Sequence, residues 1–293
     1  MCDRIYTKCL FLYNGVVAGG VPMREFTGRE IVERSITKTF KGPLYSKFIE
    51  AIHLYRLVEP GDRIAVALSG GKDSLLLAKL FQEYRRHGNV PFETVFITMD
   101  PGYAPDKLAK HLDTCEKLGI DVVVEPSTIF QVTEEYAKEE PCFLCARMRR
   151  GVLYKLARKH GCNKLALGHH FDDVIETTLL NMLYAGSFKT MLPKVRSENY
   201  PGIELIRPMY LVKEHDVVRF MNYNKLEAMN CGCRFVLTKT DSKRGEIKNL
   251  IASLRKIYKN IDINIFRSAE NVNLKGVLGY QNDAETKTFL DDY

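Results

Sequence analysis

The sequence predicts an α/β protein: a parallel sheet flanked by helices, with a helical segment before it and a small helical appendage after it. Three observations predict this. Short continuous apolar runs recur along the chain, beginning at residues 64–68 (IAVAL), as expected of strands buried on both faces. Stretches of helical period and length alternate with those runs, which is the pattern of βαβ units. A glycine-rich loop stands directly between the first such run and a helix. Such units connect by right-handed crossovers, and ligands bind at the carboxyl ends of their strands.

The elements follow in order. Residues 30–40 have no clear period, and Gly42-Pro43 breaks what precedes it. Phe48, Ile52 and Tyr55 stand at helical spacing within an amphipathic stretch at 44–55. Pro60-Gly61-Asp62 is a turn before the first strand, and a helix spans 74–86. Residues 92–99 form the second strand, 105–118 a helix and 122–124 the third strand. Met148, Val152, Leu153 and Leu156 share one face of a helix at 147–160. The fourth strand is 164–167, the next helix 172–184, and 204–206 a fifth strand before Pro208. In the tail, Ile247, Leu250, Ile251, Leu254 and Ile257 make an amphipathic helix. We divide the chain into a dispensable extension at 1–22 before a start at Met23, an N-terminal helical segment at 23–60, the α/β domain at 61–210 and a C-terminal helical region at 211–293.

Composition sets outer limits. The chain has 293 residues, 45% of them hydrophobic, enough for a sizeable core. No apolar run approaches the length of a membrane span. The net charge of +7 is compatible with an anionic partner. From 231 to 260, Arg234, Lys239, Lys243, Arg244, Lys248, Arg255, Lys256 and Lys259 face only Asp241 and Glu246. Either this segment attracts phosphates or it is a solvated helix face. The eight cysteines include two close pairs, Cys142/Cys145 and Cys231/Cys233. In a cytoplasmic protein, which we expect here, such pairs hold metal or do redox work more often than they form structural disulfides. Cys2, Cys9, Cys115 and Cys162 read as ordinary thiols.

The strongest motif is Ser69-Gly70-Gly71-Lys72-Asp73-Ser74, after a strand and opening a helix. Its backbone N–H groups and the helix dipole behind them make an anion site. The two serines add hydroxyls, Lys72 adds charge, and the loop lacks the spacing of a Walker A motif. His169, His170, Asp172 and Asp173 follow the fourth strand at the same edge. One carboxylate there is expected to cap helix N–H groups, and the other to position metal, water or a proton. Arg147, Arg149 and Arg150 read as the start of a helix, where positive charge opposes the dipole and implies a negative neighbour. Spacing alone leaves three readings of the cysteines: a redox pair, a structural zinc site, or an iron–sulfur cluster with one open iron.

Residues 69–74 resemble the SGGxDS signature of the PP-loop ATP pyrophosphatases, which cleave ATP between the α and β phosphates and adenylate a substrate oxygen. The segments Pro141-Cys142-Phe143-Leu144-Cys145-Ala146-Arg147, Leu167-Gly168-His169-His170-Phe171-Asp172-Asp173 and Met99-Asp100-Pro101-Gly102-Tyr103 are similar to the tRNA 2-thiocytidine synthetase family within that group. The resemblance implies a PP-loop, adenine nucleotide alpha hydrolase-like fold, binding of ATP with Mg²⁺, and a [4Fe–4S] cluster. It implies ATP at Ser69, Gly70, Gly71, Lys72, Asp73, Ser74, Met99, Gly168 and His169, and catalytic roles for Lys72, Asp172, Asp173 and Arg149. The cluster ligands implied are Cys142, Cys145 and Cys231, with Cys233 as the fallback, because Cys231-Gly232-Cys233 replaces the usual second CxxC. The partners implied are tRNA, a sulfur donor (desulfurase-derived sulfur or free sulfide) and a second copy in a homodimer. The expected product is an anticodon-loop 2-thiocytidine. The alternatives are thiolation of a tRNA uridine, a zinc-containing C–N bond-forming enzyme of the lysidine type, and a non-enzymatic RNA-binding or sulfur-relay module.

Overall fold

The computed structural model describes residues 27–130, 141–229, 243–282 and 284–292, with the side chains of 141–147 and 292 left aside. Its centre is a six-stranded sheet in the order β3-β2-β1-β4-β6-β5. The strands are β1 (Arg63–Ala67), β2 (Glu93–Asp100), β3 (Val122–Pro126), β4 (Lys164–Ala166), β5 (Lys194–Arg196) and β6 (Glu204–Ile206). All neighbours run parallel except β5, which pairs antiparallel with β6 at the edge. The chain moves outward from β1 in one direction through β2 and β3, and in the other from β4. The switch point therefore lies between β1 and β4, where α/β folds place their ligands.

Four helices follow strands of this sheet: α3 (Lys72–His87), α4 (Pro105–Lys117), α5 (Pro141–Lys159) and α6 (Phe171–Tyr184). One large apolar cluster joins α3 to the N-terminal helices α1 (Gly28–Thr37) and α2 (Lys47–Tyr55) and to α7 (Glu214–Tyr223). Phe48 sits edge-on to Phe81, with ring centroids 5.3 Å apart, in this cluster. A second cluster fills the other face of the sheet, between Ala65, Ile97, Leu165 and Leu205 and the Tyr154–Ala157 face of α5. A third joins α6 to two C-terminal helices, α8 (Lys243–Ile257) and α9 (Ile261–Ser268), through Phe171, Ile175, Ile247, Ile251 and Ile265.

Several local expectations change. The stretch read as aperiodic is α1, closed by a capping box in which Thr27 and Glu30 satisfy each other's backbone N–H groups. Gly42-Pro43 does not end a helix; it sits in a π-helical turn, Lys41–Ser46, that leads straight into α2. The helix expected from 147 begins at Pro141, so α5 runs through Cys142 and Cys145. Arg149 and Arg150 consequently lie in its third turn, too far from its start to oppose the dipole there. Two short elements gave no apolar pattern to read, β5 and a terminal hairpin of β7 (Gly279–Gln281) and β8 (Thr286–Thr288), and α7, within the region expected to be helical, buries Val217, Phe220 and Met221 at helical spacing. No helix among the described residues is long and apolar enough to cross a membrane.

Candidate active site

The loop after β1 is held by its own hydroxyls. Ser69 N–H donates to Ser74 Oγ at 3.2 Å, Ser74 Oγ donates to the Gly71 carbonyl at 2.9 Å, and the two serine hydroxyls lie 3.2 Å apart. Gly71 is the N-cap of α3 and offers no side chain, so the first-turn N–H groups are left to a ligand. Gly70 has φ +77°, and a Cβ there would strike Met229 and the His111 ring. Gly168 is equally constrained, because an added Cβ would lie 3.1–3.2 Å from the backbone of Asp73 and Ser74. The β4 loop thus closes directly on the β1 loop across the switch point.

Lys72 does not project freely. Its Nζ lies 3.0 Å from Asp73 Oδ2 and 3.1 Å from Glu214 Oε1. Burial pulls its pKa down, but the two carboxylates outweigh that and hold it above the ordinary lysine value. Glu214, at the start of α7, also receives Lys248 Nζ at 3.0 Å. Burial would raise the Glu214 carboxyl, and Lys248 and Lys72 overcome this, bringing it down to about 2. His170 Nε2 is within 3.8 Å of Asp73 and 4.0 Å of Glu214.

The paired carboxylates after β4 divide their work. Asp173 completes a capping box with His170 at the start of α6, and its other oxygen meets Arg244 at 2.5 Å. Asp172 accepts from the Glu214 N–H at 2.7 Å, which caps α7, and pairs with Arg255 at 2.6 Å. Arg244 also holds Glu176 at 2.8 Å. Three cations of the basic segment, Arg244, Lys248 and Arg255, are therefore ion-paired to this edge while their side chains stay 47%, 50% and 39% exposed, so the face is solvated and paired at once. The partition was invisible in the sequence because the partners lie 34 to 83 residues away.

His169 stands beside this network with Nδ1 buried and without a partner among the described residues. Burial lowers its pKa to about 4, and Arg207 and Arg244 act in the same direction, so the ring is neutral near pH 7. Met99 is buried under α5, and the Asp100 carboxylate folds the following turn by accepting from the Gly102 and Tyr103 N–H groups. Arg149 lies over the Phe130 ring, 5.6 Å from its centroid, with Nε buried and without a partner among the described residues. Cys231 and Cys233 lie outside the described residues, and of Cys142 and Cys145 only the helical backbone is described. Cys115 and Cys162 are buried free thiols. Sequence reasoning missed Glu214, Arg207 and the pairing role of α8. Only Arg207 carried a signal, as an arginine at a strand's carboxyl end.

A PP-loop domain family matches residues 38–230. The chain is 38% identical over 235 residues to a tRNA-cytidine(32) 2-sulfurtransferase of Geobacter metallireducens, covering 78% of this chain and 89% of that one. It is 37% identical over 254 residues to the protein of that name from Geotalea daltonii, covering 85% and 97%. Its fold is similar to that of the U34-tRNA thiolase NcsA of Methanococcus maripaludis, solved with a [4Fe–4S] cluster. That match has a TM-score of 0.62 at 23% identity and covers 77% of this chain and 76% of that chain.

Proposed function

The chain belongs to the tRNA-cytidine 2-sulfurtransferase family of PP-loop proteins, and from that premise we propose that it makes 2-thiocytidine in the anticodon loop of tRNA. It is a transferase that binds ATP, and tRNA thiolation is its reaction class. The observation that carries the reading is the cradle at residues 69–74, pinned against Gly168 at the switch point.

ATP binds with its phosphates over the first-turn N–H groups of α3, which stabilise charge without reorganising. The C2 oxygen of the cytosine attacks the α-phosphorus; the bond to the β-phosphate oxygen breaks and pyrophosphate leaves. Sulfide then adds at C2, the C2–oxygen bond breaks, and AMP carries the oxygen away. Lys72 leaves its carboxylate partners to meet the phosphates, while Asp172 and Asp173 hold the β4 edge in place. Arg149, whose Nε has no partner among the described residues, is suited to donate to an anionic reactant. Mg²⁺ would arrive with the phosphates, as hard cations do. Cys142, Cys145 and Cys231, or Cys233 as the third ligand, would hold a [4Fe–4S] cluster whose open iron supplies sulfide. Such chemistry suits the reducing cytoplasm. A desulfurase-derived or free sulfide donor and a homodimer complete the proposal.

Mass spectrometry of nucleosides from tRNA of a strain lacking the gene tests this. Loss of 2-thiocytidine alone is the expected result. Loss of a thiouridine would move the substrate to uridine, and no change in any thiolated nucleoside would overturn the tRNA assignment. Iron and acid-labile sulfide in anaerobically purified protein separate the cluster from a structural zinc.

A further inference from the structure

Beside the nucleotide loop lies a second cationic site that the chemistry above does not use. Arg207 directly follows β6, next to Leu167 of the β4 loop, whose N–H donates to the Ile206 carbonyl at 3.0 Å. Only 7% of Arg207 is exposed. One guanidinium nitrogen, Nη1, donates to the Leu192 carbonyl, but Nε is buried and has no partner among the described residues. No carboxylate among the described residues pairs with it; Arg150 of α5, exposed to solvent, acts on it more strongly than the Asp173 carboxylate, which opposes Arg150 from beyond pairing distance. Burial, reinforced by Arg150, lowers the Arg207 pKa to about 10. His169, with its own buried nitrogen lacking a partner among the described residues, is also close enough to feel the Arg207 charge.

A buried guanidinium without a counterion carries a desolvation cost of several kcal/mol, which neutral carbonyls offset poorly. Arginine next to arginine raises that cost. A buried guanidinium N–H with no acceptor among the described residues, beside an exposed arginine and a neutral imidazole, makes a site ready for an oxyanion. The ATP phosphates are already served by the β1 loop. Arg207 ends a strand two places from β1, roughly 10 Å across the sheet at the usual strand spacing. It lies on the side away from β2, toward which we place the adenine.

We propose that Arg207, with Arg150 and His169, binds a backbone phosphate of the RNA substrate and so fixes the target nucleotide relative to the nucleotide loop. This rests on the tRNA-thiolation reading. The phosphate positions and the base specifies, so the site contributes affinity and register and no base preference.

Binding of the full-length protein to unmodified tRNA, measured by fluorescence anisotropy across a salt series, tests it alongside ATP binding. Arg207→Met and Arg150→Gln should each weaken tRNA about tenfold and reduce the log–log salt slope by about one. Arg207→Lys should restore most of the slope. ATP affinity should not change. Arg207→Met should also leave the ligand-free melting temperature unchanged or higher, since it removes an uncompensated buried charge and the half-exposed Leu192 can hydrate its carbonyl. A lowered melting temperature with an unchanged salt slope in both variants would overturn the proposal in favour of a structural arginine. Loss of ATP affinity with intact tRNA binding would assign the site to the nucleotide and overturn it too. Failure of the wild-type protein itself to bind tRNA would instead strike the functional reading on which the proposal rests.

Discussion

The β1 loop and the α6–α8 face meet at the same sheet edge but are built on opposite principles. The loop is six consecutive residues held by hydroxyls and backbone, and its anion site comes from peptide N–H groups. The α6–α8 face is made of ion pairs between residues far apart in the chain: Arg244 to Asp173 and Glu176, Lys248 to Glu214, Arg255 to Asp172. A site whose donors are backbone N–H groups keeps them when a side chain outside the bracing hydroxyls changes. A face made of charge pairs leaves a half-buried ion behind each time one is removed. The comparison teaches which half is chemistry and which is positioning. Substitutions in the loop should cost rate, and those in the α8 face should cost stability first.

The largest expected effect is at Lys72. Lys72→Ala removes the one full positive charge of the loop, and AMP formation should fall by about 10²–10³-fold. The melting temperature should barely move, because Asp73 is more than a quarter exposed and Glu214 keeps Lys248. AMP release assays beside thermal melts would show it. A large stability loss with modest rate loss would put Lys72 in the positioning network and break the contrast.

Arg244→Ala should do the reverse. It strips Glu176, whose side chain is only 3% exposed, of its close partner and leaves Lys248 at 3.9 Å. Burial already pushes the Glu176 carboxyl up, and Arg244 is the group that resists this. The cost should be about 1–3 kcal/mol, or several degrees in melting temperature. Affinity for an ATP analogue should change much less. Equal stability in the variant and the wild type would mean that the apolar contacts of Ile247 and Ile251 alone dock α8.

These two regions also divide what the sequence could reveal. The loop was legible because its chemistry is local: hydroxyls, glycines and lysine stand within one turn, after an apolar strand and before an amphipathic helix. The alternation that predicted β1 to β4 and β6 is local as well. β5 was not legible, since a three-residue edge strand such as Lys194–Arg196 buries too little to show a pattern, whereas α7 carried one in Val217, Phe220 and Met221. The basic segment stayed between two readings for a different reason. Charge in a sequence says nothing of its partners, and Arg244, Lys248 and Arg255 find theirs only through the docking of α8. Arg149 shows a third limit: an error of six residues in the start of α5 turned a mid-helix arginine into an apparent dipole conflict.

The smallest effect, and the one that joins the two regions, is at Glu214, which holds Lys72 on one side and Lys248 on the other. Glu214→Gln keeps the shape but loses the charge. Lys72 then has Asp73 alone, so it should meet the nucleotide more readily, and the KM for ATP should change severalfold with kcat nearly unchanged. Stability should carry the same signature in its pH dependence. The folded carboxyl, near 2, lies below the value of about 4.5 from which it is shifted, so its charged form stabilises the fold. That contribution is full above about pH 4.5 and is lost as the pH falls through about 2. With a quarter of the side chain exposed, it should amount to about 1–2 kcal/mol. Denaturant melts of wild type and Glu214→Gln should therefore differ at pH 6 and converge toward pH 2. A difference that persists at low pH would show that the glutamate acts through packing or through the helix start at α7, and the link between loop and α8 would have to run through Asp172 instead.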